Sequence, residues 1–163
     1  MTKNEFMQTL SSERRHWEEQ WRTINLSSRV ELSPSGKMNL RDILYHVAWY
    51  EREMVEVLQL RALIGSPWWN LTLDERNAHI QSEGQSISPQ EAYLQEQQVY
   101  TELLVQLNKI SDQELEQASF FHDMPADWKP WEVIASNTYE HYPQHYSEIH
   151  TLEQRKGNHR HED

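Results

Sequence analysis

The sequence predicts an all-α domain, an up-down four-helix bundle with two long connections and a short extra helix between the second and third long helices. Few glycines point there first: only 4 in 163 residues, with long stretches free of proline. That composition argues against a turn-rich β fold and for long helices. Four stretches repeat apolar residues at three-to-four spacing, the period of a helix with one buried face. Capping residues and breakers sit at their ends. The length suits one domain with one core, expected over 1–153, with a polar and frayed tail at 154–163.

The first helix is expected over 3–26, where Phe6, Leu10, Trp17, Trp21 and Ile24 form one apolar stripe. The run SPSG at 33–36 then breaks the chain. A second helix opens near Asn39, a good N-cap, with Asp42 in its first turn, and runs to about Ile64 before Gly65 and Pro67. Its stripe is Ile43, Val47, Tyr50, Met54, Val57 and Leu58. The first long connection holds the short helix LDERNAHIQSEG, capped by Thr72 and ended by Gly84. The third long helix opens with Ser88 as N-cap, Pro89 at the first helical position and Glu91 closing a capping box. Ala92, Val99, Leu103, Leu107 and Ile110 mark its inner face. A second long connection spans 111–130. The fourth helix is expected from Trp131 to about Gln154, with Ile134, Thr138, Tyr142, His145, Ile149 and Leu152 on its stripe.

Cysteine is absent, which removes disulfides, thiolate metal sites and a cysteine nucleophile together. The formal charge of −11 opposes binding to phosphate backbones, so nucleic acid is not an expected partner. No segment approaches the ~20 apolar residues of a membrane span, and the N-terminal residues lack the apolar core of a secretory signal. The expected location is therefore cytoplasmic. The seven tryptophans are read as core and helix-end packing, with the lining of a ligand pocket as the alternative.

The nine histidines divide by direction. His46 sits inside the edge of the second helix's stripe, one turn from Ile43 and from Tyr50. His145 lies near the middle of the fourth stripe and His141 at its margin, four residues earlier. Two imidazoles at that spacing on one helix face can share a metal. Three buried neutral imidazoles carry six ring nitrogens, all needing partners, and a divalent ion satisfies three together. His16, His79, His122, His150, His159 and His161 are expected to be solvated. Pro143 interrupts the pair, and a kink in a continuing helix is expected there. HYPQH is not a zinc-protease motif, because Tyr142 stands where that motif needs a glutamate.

Three stretches, MNLRDILYHVAWYEREM, LTLDERNAHIQSE and above all WEVIASNTYEHYPQHYSEI, resemble the DinB/YfiT superfamily and its ClbS/DfsB-type branch. The resemblance runs from the first helix to about Leu152. It implies a four-helix bundle holding a metal on one histidine of the second helix and two of the fourth, positions matched by His46, His141 and His145. It also implies a homodimer. Members include transferases of low-molecular-weight thiols, thiol-using isomerases, proteins acting on a reactive genotoxin, and proteins without assigned activity.

Three functions compete at this level. The first is a metal-dependent hydrolase or thiol-dependent transferase acting on a small molecule, with a divalent metal, zinc or nickel foremost, and a low-molecular-weight thiol as possible cofactors. Tyr50, Asn137 and Glu148 then border or support the site, Glu148 as an acceptor near the face of His141. The second is a non-catalytic bundle sequestering a metal or a small toxic molecule. The third is an interaction bundle in which the histidines have no role.

Overall fold

Regular structure in this computed structural model, which describes residues 1–26 and 38–151, is helical throughout; among the described residues no strand forms. The expected break at 33–36, the end of the fourth helix past 151 and the tail at 154–163 lie outside the described residues. The helices are α1 (Lys3–Trp21), α2 (Leu40–Leu60), α3 (Leu73–Gly84), α4 (Pro89–Lys109), α5 (Asp112–Glu116) and α6 (Pro130–Ser136), with 3₁₀ turns at Pro67–Asn70, Ala118–Phe120 and Tyr142–His145.

Local chemistry explains most starts. Thr2 with Glu5, Asn39 with Asp42, Thr72 with Glu75, Ser88 with Glu91 and Ser111 with Glu114 all form reciprocal capping boxes. Each satisfies two backbone donors that a helix start leaves without partners. Caps of this kind contribute about 1 kcal/mol, whereas a fully buried Leu or Phe contributes about 1.5–3 kcal/mol. The core therefore holds the helices together. Phe6, Leu10 and Trp17 of α1, Ile43, Leu44 and Leu58 of α2, and Leu103 and Leu107 of α4 are fully buried. Central to this core is α2, packed against both α4 and α3 and covered on nearly every side.

Two helix ends and one connection differ from the sequence expectation. Helix α1 stops at Trp21 rather than Leu26, although Ile24 and Leu26 still pack on the core. Helix α2 stops at Leu60, before Ile64, because Arg61 turns into the left-handed region (φ 50°). Its guanidinium bonds back to the Leu58 carbonyl and to Glu114 Oε1, contacts that stabilise a conformation costly for a residue with a Cβ. The second connection also carries α5 and a 3₁₀ turn, and its His122 exchanges backbone hydrogen bonds with Arg61 and Leu63.

The fourth helix departs most. It is not one kinked helix; α6 ends at Ser136, residues 137–141 form turns, a 3₁₀ turn follows, and residues 146–151 are helical again. Pro143 has no N–H to give and its ring crowds the carbonyl one turn back. Upstream, Asn137 Nδ2 and Thr138 Oγ1 donate to the Val133 and Ile134 carbonyls, competing with the helical ladder. Two local effects thus add, and the chain unwinds over a whole segment instead of bending at one point.

Candidate metal centre

The unwound segment and α2 supply the three inward histidines. His46 ends the second turn of α2 after its N-cap, held by a regular helix buried on nearly all sides. His141 closes the turn after α6, and His145 ends the 3₁₀ turn. All three are buried. His141 Nε2 lies 3.1 Å from His46 Nε2 and 3.1 Å from His145 Nε2. The three candidate ligand atoms all fall within 4.8 Å of one another. Nitrogens bound tetrahedrally to one ion at 2.0–2.1 Å stand about 3.3 Å apart, so these spacings are compatible with a shared metal.

Electrostatics point the same way. Burial, reinforced by the neighbouring imidazoles, holds His46 well below its usual pKa and His141 down at about 3. Burial lowers His145 as well, against the opposing pull of Glu148. All three are neutral at pH 7, the form in which imidazole offers a lone pair. An imidazole nitrogen carries one proton or one lone pair, never both. His145 Nδ1 faces Glu148 Oε2 at 3.4 Å. When it donates there, its Nε2 is left as a lone pair directed at His141. Meanwhile His141 Nδ1 is buried without a hydrogen-bond partner. Three bases converge, one of them with a second nitrogen buried without a partner; His141 has at most one Nε2–H to share between its two neighbours, whereas a cation at the centre would engage all three lone pairs. The donor set therefore fits a divalent ion.

The remaining sequence candidates separate. Tyr50 does border the site: its ring lies edge-on to His46 and to His141, 4.9 Å from each centroid. Its hydroxyl points elsewhere, to Asn77 Oδ1 at 3.2 Å. Glu148 supports the site, but through His145 and not through His141 as its helical position suggested; it lies three residues on, in the helical segment that follows the 3₁₀ turn. Asn137 is not gathered with the imidazoles. It spends its amide on the Val133 carbonyl and lines a neighbouring cavity. His16, His79, His122 and His150 are exposed as expected, and His159 and His161 lie outside the described residues.

A second buried polar group, absent from the sequence expectation, adjoins the histidines through Tyr142. The Arg14 guanidinium forks onto both oxygens of Glu96, which also accepts from Trp17 Nε1 at 2.8 Å. Tyr142 donates to Glu51 Oε1 and stacks on Trp17 at 5.2 Å. Burial and the Glu96 carboxylate push Glu51 up to about 8, so it is neutral at pH 7. One signal was legible: Arg14 and Glu96 occupy stripe positions in α1 and α4 and carry opposite charges.

No family model matches the chain, and no curated protein matches it either. Similar solved structures exist. An uncharacterised protein from Escherichia coli UTI89 superposes with a TM-score of 0.75 at 16% identity, over 96% of this chain and 95% of that one. An uncharacterised protein from Clostridium difficile 630 gives 0.72 at 17%, over 94% and 96%. A protein from Streptococcus pneumoniae gives 0.73 at 15%, over 94% and 91%. At such identities the likeness shows that the fold recurs along the whole chain, and nothing about activity.

Proposed function

We propose that this chain is a metal-binding protein of the DinB/YfiT type, a four-helix bundle whose fourth member is broken, and that it promotes a metal-dependent hydrolysis or thiol transfer on a small molecule. The observation that carries this reading is the convergence of three neutral Nε2 atoms, with His141 at 3.1 Å from both partners. Among the described residues no carboxylate joins the cluster, so three imidazoles leave a coordination position open. A divalent ion held there would supply Lewis-acid chemistry to an oxygen or sulfur group taken up from solution.

The chain's own residues do the rest. His46, His141 and His145 would hold the ion, and burial keeps them unprotonated. Glu148 fixes the ring of His145 by accepting from its Nδ1. The Tyr50 ring covers His46 and His141 on one side and is itself backed by Trp69, 5.8 Å away, which keeps bulk water from that flank. The charge of −11 favours a small-molecule substrate over nucleic acid.

Metal analysis of protein made without an affinity tag tests the reading. It should carry an equimolar divalent ion, lost from His46→Ala, His141→Ala and His145→Ala. Metal-stripped protein should gain about 2.7 kcal/mol of stability when free zinc reaches a hundred times its Kd. Absence of stoichiometric metal, with content indifferent to His145→Ala, would sink it. Turnover is then sought with low-molecular-weight thiols and electrophilic acceptors and with esters and amides. Activity that survives complete metal removal would leave the ion without a catalytic part.

A further inference from the structure

Beside the histidines, and lined by none of them, lies a cavity of about 700 Å³ between the C-terminal half of α2, the 63–70 segment and α6. That volume falls in the range of roughly 300–1,000 Å³ typical of small-molecule sites. Met54, Val57, Leu63 and Val133 give it an apolar floor, and the indoles of Trp69 and Trp128 flank it. Its polar groups are uncharged, chiefly the amides of Asn70 and Asn137; among the described residues no ionisable side chain lines it. Trp128 and Ile64 are 46% and 51% exposed at this site, large apolar surface left open in a concavity.

The wall is built in advance. Glu53, buried on α2, accepts from Trp69 Nε1 at 2.6 Å and from the Ser66 backbone N–H at 2.8 Å. Arg76 lies over the Trp69 ring, 4.3 Å from its centroid, and Tyr50 meets it edge-on. Gly65 permits this arrangement, because a Cβ there would overlap both the Trp69 indole and the Glu53 carboxylate. A carboxylate, a guanidinium and a glycine thus fix one indole as the side of an open pocket. Preorganisation of this kind lowers the ordering cost of binding.

We propose that this cavity binds an uncharged small molecule with an aromatic body, which stacks on the indoles while the Asn70 amide and the Asn137 side-chain carbonyl read one or two polar atoms. Charge selects against anions twice, through the lining and through the −11 of the whole chain. The site goes beyond the metal reading and does not depend on it.

The test is a fluorescence titration of the full chain with N-phenyl-1-naphthylamine, an uncharged aromatic probe, and with its 8-sulfonate, the same skeleton carrying an anion. The uncharged probe should bind saturably in equimolar amount, and the sulfonate at least ~10-fold more weakly, since burying an unpaired anion is costly. Val133→Trp and Ser136→Trp each place an indole in the cavity, and each should weaken the uncharged probe by at least about tenfold with helix content unchanged. Ser136 is exposed on α6, so its variant remains informative if Val133→Trp fails to fold. His141→Ala should keep the probe, separating this site from the metal centre. Non-saturable binding, equal affinity for the two probes, binding indifferent to Ser136→Trp, or loss of the probe in His141→Ala would each overturn the proposal.

Discussion

On one side of the 141–142 peptide the chain buries Arg14, Glu96, Trp17, Glu51 and Tyr142; on the other it buries His46, His141 and His145. In the first group, unlike partners meet. A guanidinium fork meets a carboxylate, and an indole N–H and the Gln97 amide complete that carboxylate's bonds. In the second, three bases of one kind point at each other. The first group's donors and acceptors are matched internally apart from Glu51 Oε2, so the fold accounts for nearly all of it. In the second, one imidazole can donate to its neighbours at most once, while an ion at the centre would take all three lone pairs. That contrast makes the histidines the candidate binding site and the Arg14 group the structural one.

The comparison breaks most visibly through Arg14. Arg14→Met leaves Glu96 buried without its counter-ion and should cost about 3–5 kcal/mol in urea unfolding. In metal-stripped protein His141→Leu should cost far less, because it exchanges a neutral base with one ring nitrogen already unpartnered for an apolar side chain in the same space. Equal losses would mean that the histidines, too, hold the fold together.

Titration sharpens the same contrast, since the two groups push stability in opposite directions with pH. For His141 in metal-stripped protein, burial lowers the pKa from 6.5 to about 3. Across that window the unfolded chain binds more protons, so stability is lost as pH falls and recovered as it rises toward 6.5. Glu51 is raised from 4.5 to about 8. Here the folded chain binds more protons, so stability falls as pH rises through that window. Neither slope can exceed about 1.4 kcal/mol per pH unit for a single proton. Denaturant unfolding between pH 5 and 8 should show the rising contribution shrink in His141→Leu, with His46 and His145 supplying what remains, and the falling limb flatten in Glu51→Gln. A shared response of both variants would merge the clusters into one titrating network.

These residues also show how far sequence reaches. The caps at Asn39, Thr72 and Ser88 were legible because they depend on neighbours three residues away. The three histidines were legible because inward direction can be counted along a helix. The break of the fourth helix was not, because Pro143 announces one lost bond while the unwinding also draws on Asn137 and Thr138 bonding backward. His141 and His145 still meet, although the helical register that predicted their meeting is absent between them. Arg61 in the left-handed region and the wall around Trp69 depend on Glu114 and on Glu53 with Arg76, contacts that no local pattern encodes.

The smallest effect concerns the join between the broken segment and the site. A 3₁₀ turn offers less support than the continuous helix under His46, so His145 needs an anchor that His46 does not. Glu148, three residues on, reaches His145 Nδ1 at 3.4 Å, a long contact for an anchor. Removing such a partner costs about 10–100-fold in metal affinity, and the length of this contact places Glu148→Gln at the low end, about tenfold or ~1.4 kcal/mol. Competition against a chelating dye measures it, with unfolding of the metal-free variant as the control. Unchanged affinity would assign the orientation of His145 to the Tyr142–His145 turn itself, making Pro143 the residue that aims the third ligand.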